Sequence, residues 1–179
     1  MKRLLVLITI AGLSTMAVYS QGKATDSARQ VKAGELIPLS ASLNLRVTKS
    51  AKSPFTGVKV QGSPVVVVLE FDAGKSASVS YKLTPDAKSD IYLISGAQKI
   101  APLAVMEDFP SWGEDNDKEI EVLDPKDSVG IVTLNFAQKG TVSLLFDLPA
   151  AQAKTPQKFS LMLQTIKPAN EKYAFVVNL

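Results

Sequence analysis

The sequence predicts an all-β protein, and three observations carry that expectation. Apolar residues recur with a period of two, the blocks they form are short, and the residues between the blocks are turn formers. The blocks are Leu43–Val47, Val65–Phe71, Val79–Leu83, Ile91–Ile94, Ile120–Leu123, Val129–Phe136, Val142–Leu148, Phe159–Leu163 and Tyr173–Val177. They predict about nine strands arranged as a β-sandwich, with a small barrel as the rival arrangement. No stretch beyond residue 20 carries a sustained helical stripe.

The punctuation argues for strands over buried helix, because turn chemistry interrupts each run before a helix could complete three turns. Asp72-Ala73-Gly74-Lys75, Ser95-Gly96-Ala97 and Lys139-Gly140 each separate two apolar blocks and read as hairpins. The ten prolines fall at block edges or between blocks, where a missing backbone donor costs little.

The chain opens with MKRLLVLITIAGLSTMAVYS, which has the form of a secretory signal peptide. Lys2 and Arg3 supply the positive start, Leu4 to Ala17 the apolar stretch, and Val18 and Ser20 are small enough to flank cleavage before Gln21. Thr9, Gly12, Ser14 and Thr15 break the apolar stretch, which is too short for a membrane span. Three parts are expected: a leader over 1–20, a polar flexible lead-in over 21–34, and a single β-sandwich domain over 35–179. A lipoprotein needs a cysteine directly after its leader, and Gln21 stands there. The expected product is therefore secreted or periplasmic, free of lipid and not stably inserted in a membrane.

Removing the leader leaves 18 basic residues against 17 acidic ones, a net charge of +1. A chain so nearly neutral has no electrostatic reason to bind nucleic acid, whose affinity comes chiefly from clustered Lys and Arg. A chain without cysteine has no disulfides, so packing and sheet hydrogen bonds must hold this one.

Several segments carry a resemblance. Ser63-Pro64-Val65-Val66-Val67-Val68-Leu69-Glu70-Phe71, Ile91-Tyr92-Leu93-Ile94-Ser95-Gly96, and Lys139-Gly140 running into Val142 to Phe146-Asp147-Leu148-Pro149 are together similar to a family of secreted bacterial immunoglobulin-like domains. The shared features are a valine-rich central strand, a strand followed by a turn glycine, and a glycine leading into a strand that ends in Phe-Asp-x-Pro. The likeness runs over roughly residues 36–165. Asp72 stands where the family often has Asn, and the segment Phe109 to Leu123 is longer than usual. The resemblance implies an antiparallel immunoglobulin-like sandwich outside the cytoplasm and implies no activity, since a fold does not specify one.

Histidine is absent along with cysteine. That removes Ser-His-Asp and Cys-His catalysis, and zinc, haem or iron–sulfur sites built from this chain's own Cys or His. Only Met106 and Met162 follow the leader, too few for a methionine copper site. Ser20 with Lys23 matches a Ser-Lys spacing by straddling the cleavage point, and Gly74-Lys75-Ser76 lacks the earlier glycine and following helix of a phosphate loop. The chain is expected to be no enzyme and to carry no cofactor.

Met106 to Asp127 departs from the strand-and-turn texture: it holds nine acids against two lysines, while Gln21 to Gln61 holds seven basic residues against two acids. The acids either keep a long loop in solution or, through Glu114, Asp115, Asp117 and Glu119, supply oxygens for calcium. The EF-hand pattern is absent, because Glu119 and Ile120 occupy the positions that would need Asp or Asn and then Gly. Phe109-Pro110-Ser111-Trp112-Gly113 sets the single tryptophan among turn formers, either as a lid over the sandwich core or as an anchor for a partner. Carboxylate pairs such as Glu107 with Asp108, or Glu119 with Glu121, have the residue types for acid–base chemistry on a glycan but show no cleft geometry.

The leading expectation is an exported, non-enzymatic binding or envelope accessory module. Its partner surface would centre on Phe109, Trp112, Glu114, Asp115 and Asp117, and its partner would be an envelope or extracellular protein. A calcium-dependent or carboxylate-based enzyme on envelope glycans, and a protease-inhibitor-like module presenting the same loop, are the alternatives.

Overall fold

The computed structural model describes residues 28–86, 88–108, 120–123 and 130–179. The leader and most of the lead-in lie outside them. Thirteen strands occur among the described residues: β1 (Arg29–Lys32), β2 (Leu36–Ser40), β3 (Leu43–Ser50), β4 (Ser63–Ala73), β5 (Ala77–Leu83), β6 (Ile91–Ser95), β7 (Gln98–Ile100), β8 (Ala104–Asp108), β9 (Ile120–Val122), β10 (Gly130–Phe136), β11 (Lys139–Leu148), β12 (Gln157–Lys167) and β13 (Glu171–Asn178). One short 3-10 turn, Ala150–Gln152, is the only helical element described. No helix among the described residues is long and apolar enough to cross a membrane.

The strands form two sheets, one ordered β1-β13-β12-β5-β10 with β6 also beside β12 and β7 beside β6, the other ordered β2-β3-β4-β11-β8-β9. Alternation along each strand sends one set of side chains between the sheets, and Val67, Leu69, Leu144, Phe146, Phe159, Leu161 and Val177 are fully buried there. Phe146 of β11 meets Phe159 of β12 edge to face, with ring centroids 6.1 Å apart, and so couples the sheets. Each such buried side chain stabilises the fold by about 1.5–3 kcal/mol.

Each of the nine predicted blocks contains a strand, and four further strands join them. β2 carries Pro38 at its centre and β8 has a single β-branched residue, so neither shows a clean strand signature. β1 lies within the stretch expected to be a lead-in, so the folded domain reaches back at least to Arg29. Only Val31 of its four residues is buried, and one apolar residue makes no period. β1 also pairs with β13 in parallel, so the sandwich is not wholly antiparallel.

Two of the three expected hairpins are corners. β4 belongs to one sheet and β5 to the other, and the same holds for β10 and β11. β4 pairs with β11, β5 pairs with β10, and the two corners are joined where the Ala73 N–H donates to the Gln138 carbonyl at 2.5 Å. A single two-stranded ribbon thus bends from one sheet into the other. Turn residues report that a chain bends, but the burial of both apolar faces decides the partner. The third, between β6 and β7, is a hairpin turning at Gly96, whose φ is 59°.

A second apolar cluster lies on the outer face of the β4-β11-β8 sheet. There Phe55 of the 51–62 segment covers Val66, Ala104, Met106 and Leu145. On the β1/β2 side the sheets are tied together: the Tyr173 hydroxyl donates to the Leu39 carbonyl, and the Gly34 N–H donates to the Val47 carbonyl at 2.8 Å. The opposite side, where β9 and β10 end their sheets, holds the candidate site.

Candidate functional site: an acidic mouth between two sheet edges

In β8, Val105 enters the core between the sheets while Ala104 and Met106 join the outer cluster, so alternation turns Glu107 inward with Val105. In β9, Ile120 packs on the outer cluster opposite Met106, which turns Glu121 inward opposite Val105. Glu107 and Glu121 therefore share one face of adjacent strands in a diagonal relation, close enough to interact.

From the facing sheet, β5 sends Val79, Tyr81 and Leu83 into the same space, with Tyr81 opposite Val132 of β10. The Tyr81 side chain is 2% exposed, and its hydroxyl has no hydrogen-bond partner among the described residues. Burial first, then the negative charges of Glu107 and Glu121, hold this phenol far above its ordinary range, so it stays a donor. Burial also pushes the half-buried Glu107 carboxyl up, and the charge of Glu121 adds to the effect. The ion pairs found among the described residues, Arg29 with Glu35 and Arg46 with Glu70, lie elsewhere, and no described Lys or Arg neutralises the pair.

Exposed apolar side chains lie on the outer faces of the same two edge strands. Val122 of β9 is 53% exposed and Ile131 of β10 is 77% exposed. An unneutralised carboxylate pair on edge strands with exposed apolar side chains suits a ligand that brings positive charge and hydrogen-bond donors together with apolar contact, while the Tyr81 hydroxyl stays buried behind it. No group of three or more acidic, histidine or cysteine side chains among the described residues is placed to hold a metal ion.

The residues singled out from the sequence, Phe109, Trp112, Glu114, Asp115, Asp117 and Glu119, lie outside the described residues, and so does the calcium site they would form. In the chain they fall between β8 and β9. Of the sequence-adjacent carboxylate pairs, Glu119 with Glu121 lies partly outside the described residues, while strand alternation separates Glu107 from Asp108 and β8–β9 pairing brings Glu107 to Glu121. Tyr81 was missed because a tyrosine in an alternating strand looks like any core aromatic.

No family model and no curated protein matches the chain. Among solved structures it is similar to an uncharacterized β-sandwich protein from Clostridium difficile 630, with 12% identity, a TM-score of 0.37, and coverage of 87% of this chain and 97% of that one. It is also similar to a sporulation control protein from Bacillus subtilis, with 10% identity, a TM-score of 0.31, and coverage of 77% of this chain and 50% of that one.

Proposed function

We propose that this chain is an exported, non-enzymatic immunoglobulin-like binding module of the cell envelope that holds a basic protein partner at the β9/β10 side of its sandwich. The observation that carries the reading is the convergence of Glu107 and Glu121 on one face with no described cation beside them. A half-buried carboxylate beside a second, exposed one destabilises the free protein and is relieved by a positively charged partner, so the arrangement favours complex formation. The stretch from Met106 to Asp127 holds nine acids against two lysines, an excess of negative charge that would steer such a partner. Export is supported by the form of the first twenty residues, and the immunoglobulin-like assignment by the two-sheet sandwich and the Phe146-Asp147-Leu148-Pro149 motif.

The test is crosslinking of the protein to its envelope partners at low and high salt, with the Glu107→Gln/Glu121→Gln double variant as control. Capture that falls about tenfold in the variant and weakens with salt supports the reading. Capture indifferent to both would sink it.

A carboxylate-based enzyme on envelope glycans is the second reading, because a raised carboxyl beside another carboxylate is the pairing that glycan acid–base chemistry uses. It requires release of sugar from envelope glycans by the native protein and none by Glu107→Gln. No release from either rejects it.

A further inference from the structure

We infer that the partner is captured as an extended segment that adds to β10 as a new strand, its basic side chains turned toward Glu107 and Glu121 and its apolar ones lying beside Ile131. This rests on the acidic-mouth reading for the partner's charge, but the strand addition stands on a separate observation.

That observation is a contrast among the edges of the two sheets. A free edge is a row of unpaired backbone donors and acceptors, and proteins blunt such edges with shortness, charge, proline or irregularity. β1 has four residues and carries Arg29 and Lys32. β2 carries Pro38 and an irregular register between Pro38 and Ser40. β7 has three residues with Lys99 at its centre, and β9 has three with Glu121 at its centre. Among the described residues β10 has no strand partner besides β5 and carries none of these guards. Its seven residues, GIVTLNF, include no charge and no proline, and they pair with β5 in unbroken register from Gly130 to Phe136.

The neighbourhood selects the occupant. A strand laid against β10 alternates its side chains between the two faces of the sheet. On the outer face it meets Ile131, Thr133 and Asn135, all exposed, with Ile131 the most exposed of the large apolar side chains described. On the inner face it extends past Val132 and Leu134 toward the β9 edge and its acids. An alternating apolar and basic segment satisfies both faces, since long basic side chains lay their stems on apolar surface and carry the charge outward. A second copy of this chain offering its own β10 would bring no positive charge and would set two acidic mouths near one another.

The test uses a synthetic peptide of about nine residues alternating valine and lysine, long enough to span the edge. Its binding to the whole protein is measured by calorimetry beside a valine–glutamate peptide and a valine–lysine peptide N-methylated at every second amide. Saturable binding of the valine–lysine peptide, weakened at least about tenfold by N-methylation, is the expected result, because methylation removes ladder donors and leaves charge untouched. Binding within about twofold after N-methylation overturns strand addition; the acidic mouth then stands only if Glu107→Gln/Glu121→Gln still weakens the peptide. Equal binding of the valine–glutamate peptide leaves strand addition in place and removes the acidic reading. Failure of all three peptides, or sedimentation of the protein as a dimer with β10 amides protected from exchange, overturns the proposal.

Discussion

The Asp147 carboxylate accepts the backbone N–H of Gly62 at 2.8 Å, and its second oxygen accepts that of Gln61 at 3.0 Å. The bond fixes the end of the 51–62 segment to β11, and so holds Phe55 over the outer cluster. Gly62 is required by contact, since a Cβ there would stand 2.2 Å from the Leu148 carbonyl oxygen. The Phe-Asp-x-Pro motif thus has a structural purpose in this chain. Asp147→Ala is expected to cost about 1–3 kcal/mol, because two amides lose a charged acceptor. Gly62→Ala should cost a comparable amount by steric conflict alone. Urea unfolding measures both, and a native-like midpoint for either variant contradicts the assignment.

Stability should depend on pH through Glu107. Its carboxyl is pushed up by burial and by Glu121, so the folded protein keeps this proton to higher pH than the unfolded chain does. Stability on this account is greatest below the ordinary carboxylate range, falls as pH rises through the raised value, and then levels. Solvent around the pair keeps the effect below about 1 kcal/mol. Glu107→Gln should flatten that part of the pH profile and raise the neutral-pH melting temperature by about 1–3 °C. A variant that keeps the wild-type slope would assign the slope to another group.

Tyr81→Phe should not destabilise the protein. The hydroxyl is buried without a partner among the described residues, and its removal relieves a desolvation cost, so the variant should gain about 0.5–1 kcal/mol. A loss of more than about 1 kcal/mol would mean that the hydroxyl is satisfied in solution.

These residues show what the sequence makes legible. Near-continuous apolar runs such as Val65–Leu69 and Val142–Leu148 mark strands reliably, because fully buried central strands need continuous apolar surface. Pairing is harder to read. Asp72-Ala73-Gly74-Lys75 has hairpin chemistry, yet the chain passes there to the other sheet, a choice made by facing surfaces remote in sequence. The site divides in the same way. An acid-rich segment is plain from composition, but the alliance of Glu107 with Glu121 depends on the β8–β9 register, and the place of Tyr81 on packing across the core. The unguarded edge needs both sheet orders before it can be recognised.

The most direct test of the account is the amide spectrum of isotopically labelled protein during addition of the valine–lysine peptide. The account predicts the largest shifts at Gly130 to Asn135 of β10, with Glu107 and Glu121 next and the β1/β2 side unchanged. Shifts confined to β1 and β2, or a spectrum unmoved at saturating peptide, would contradict it.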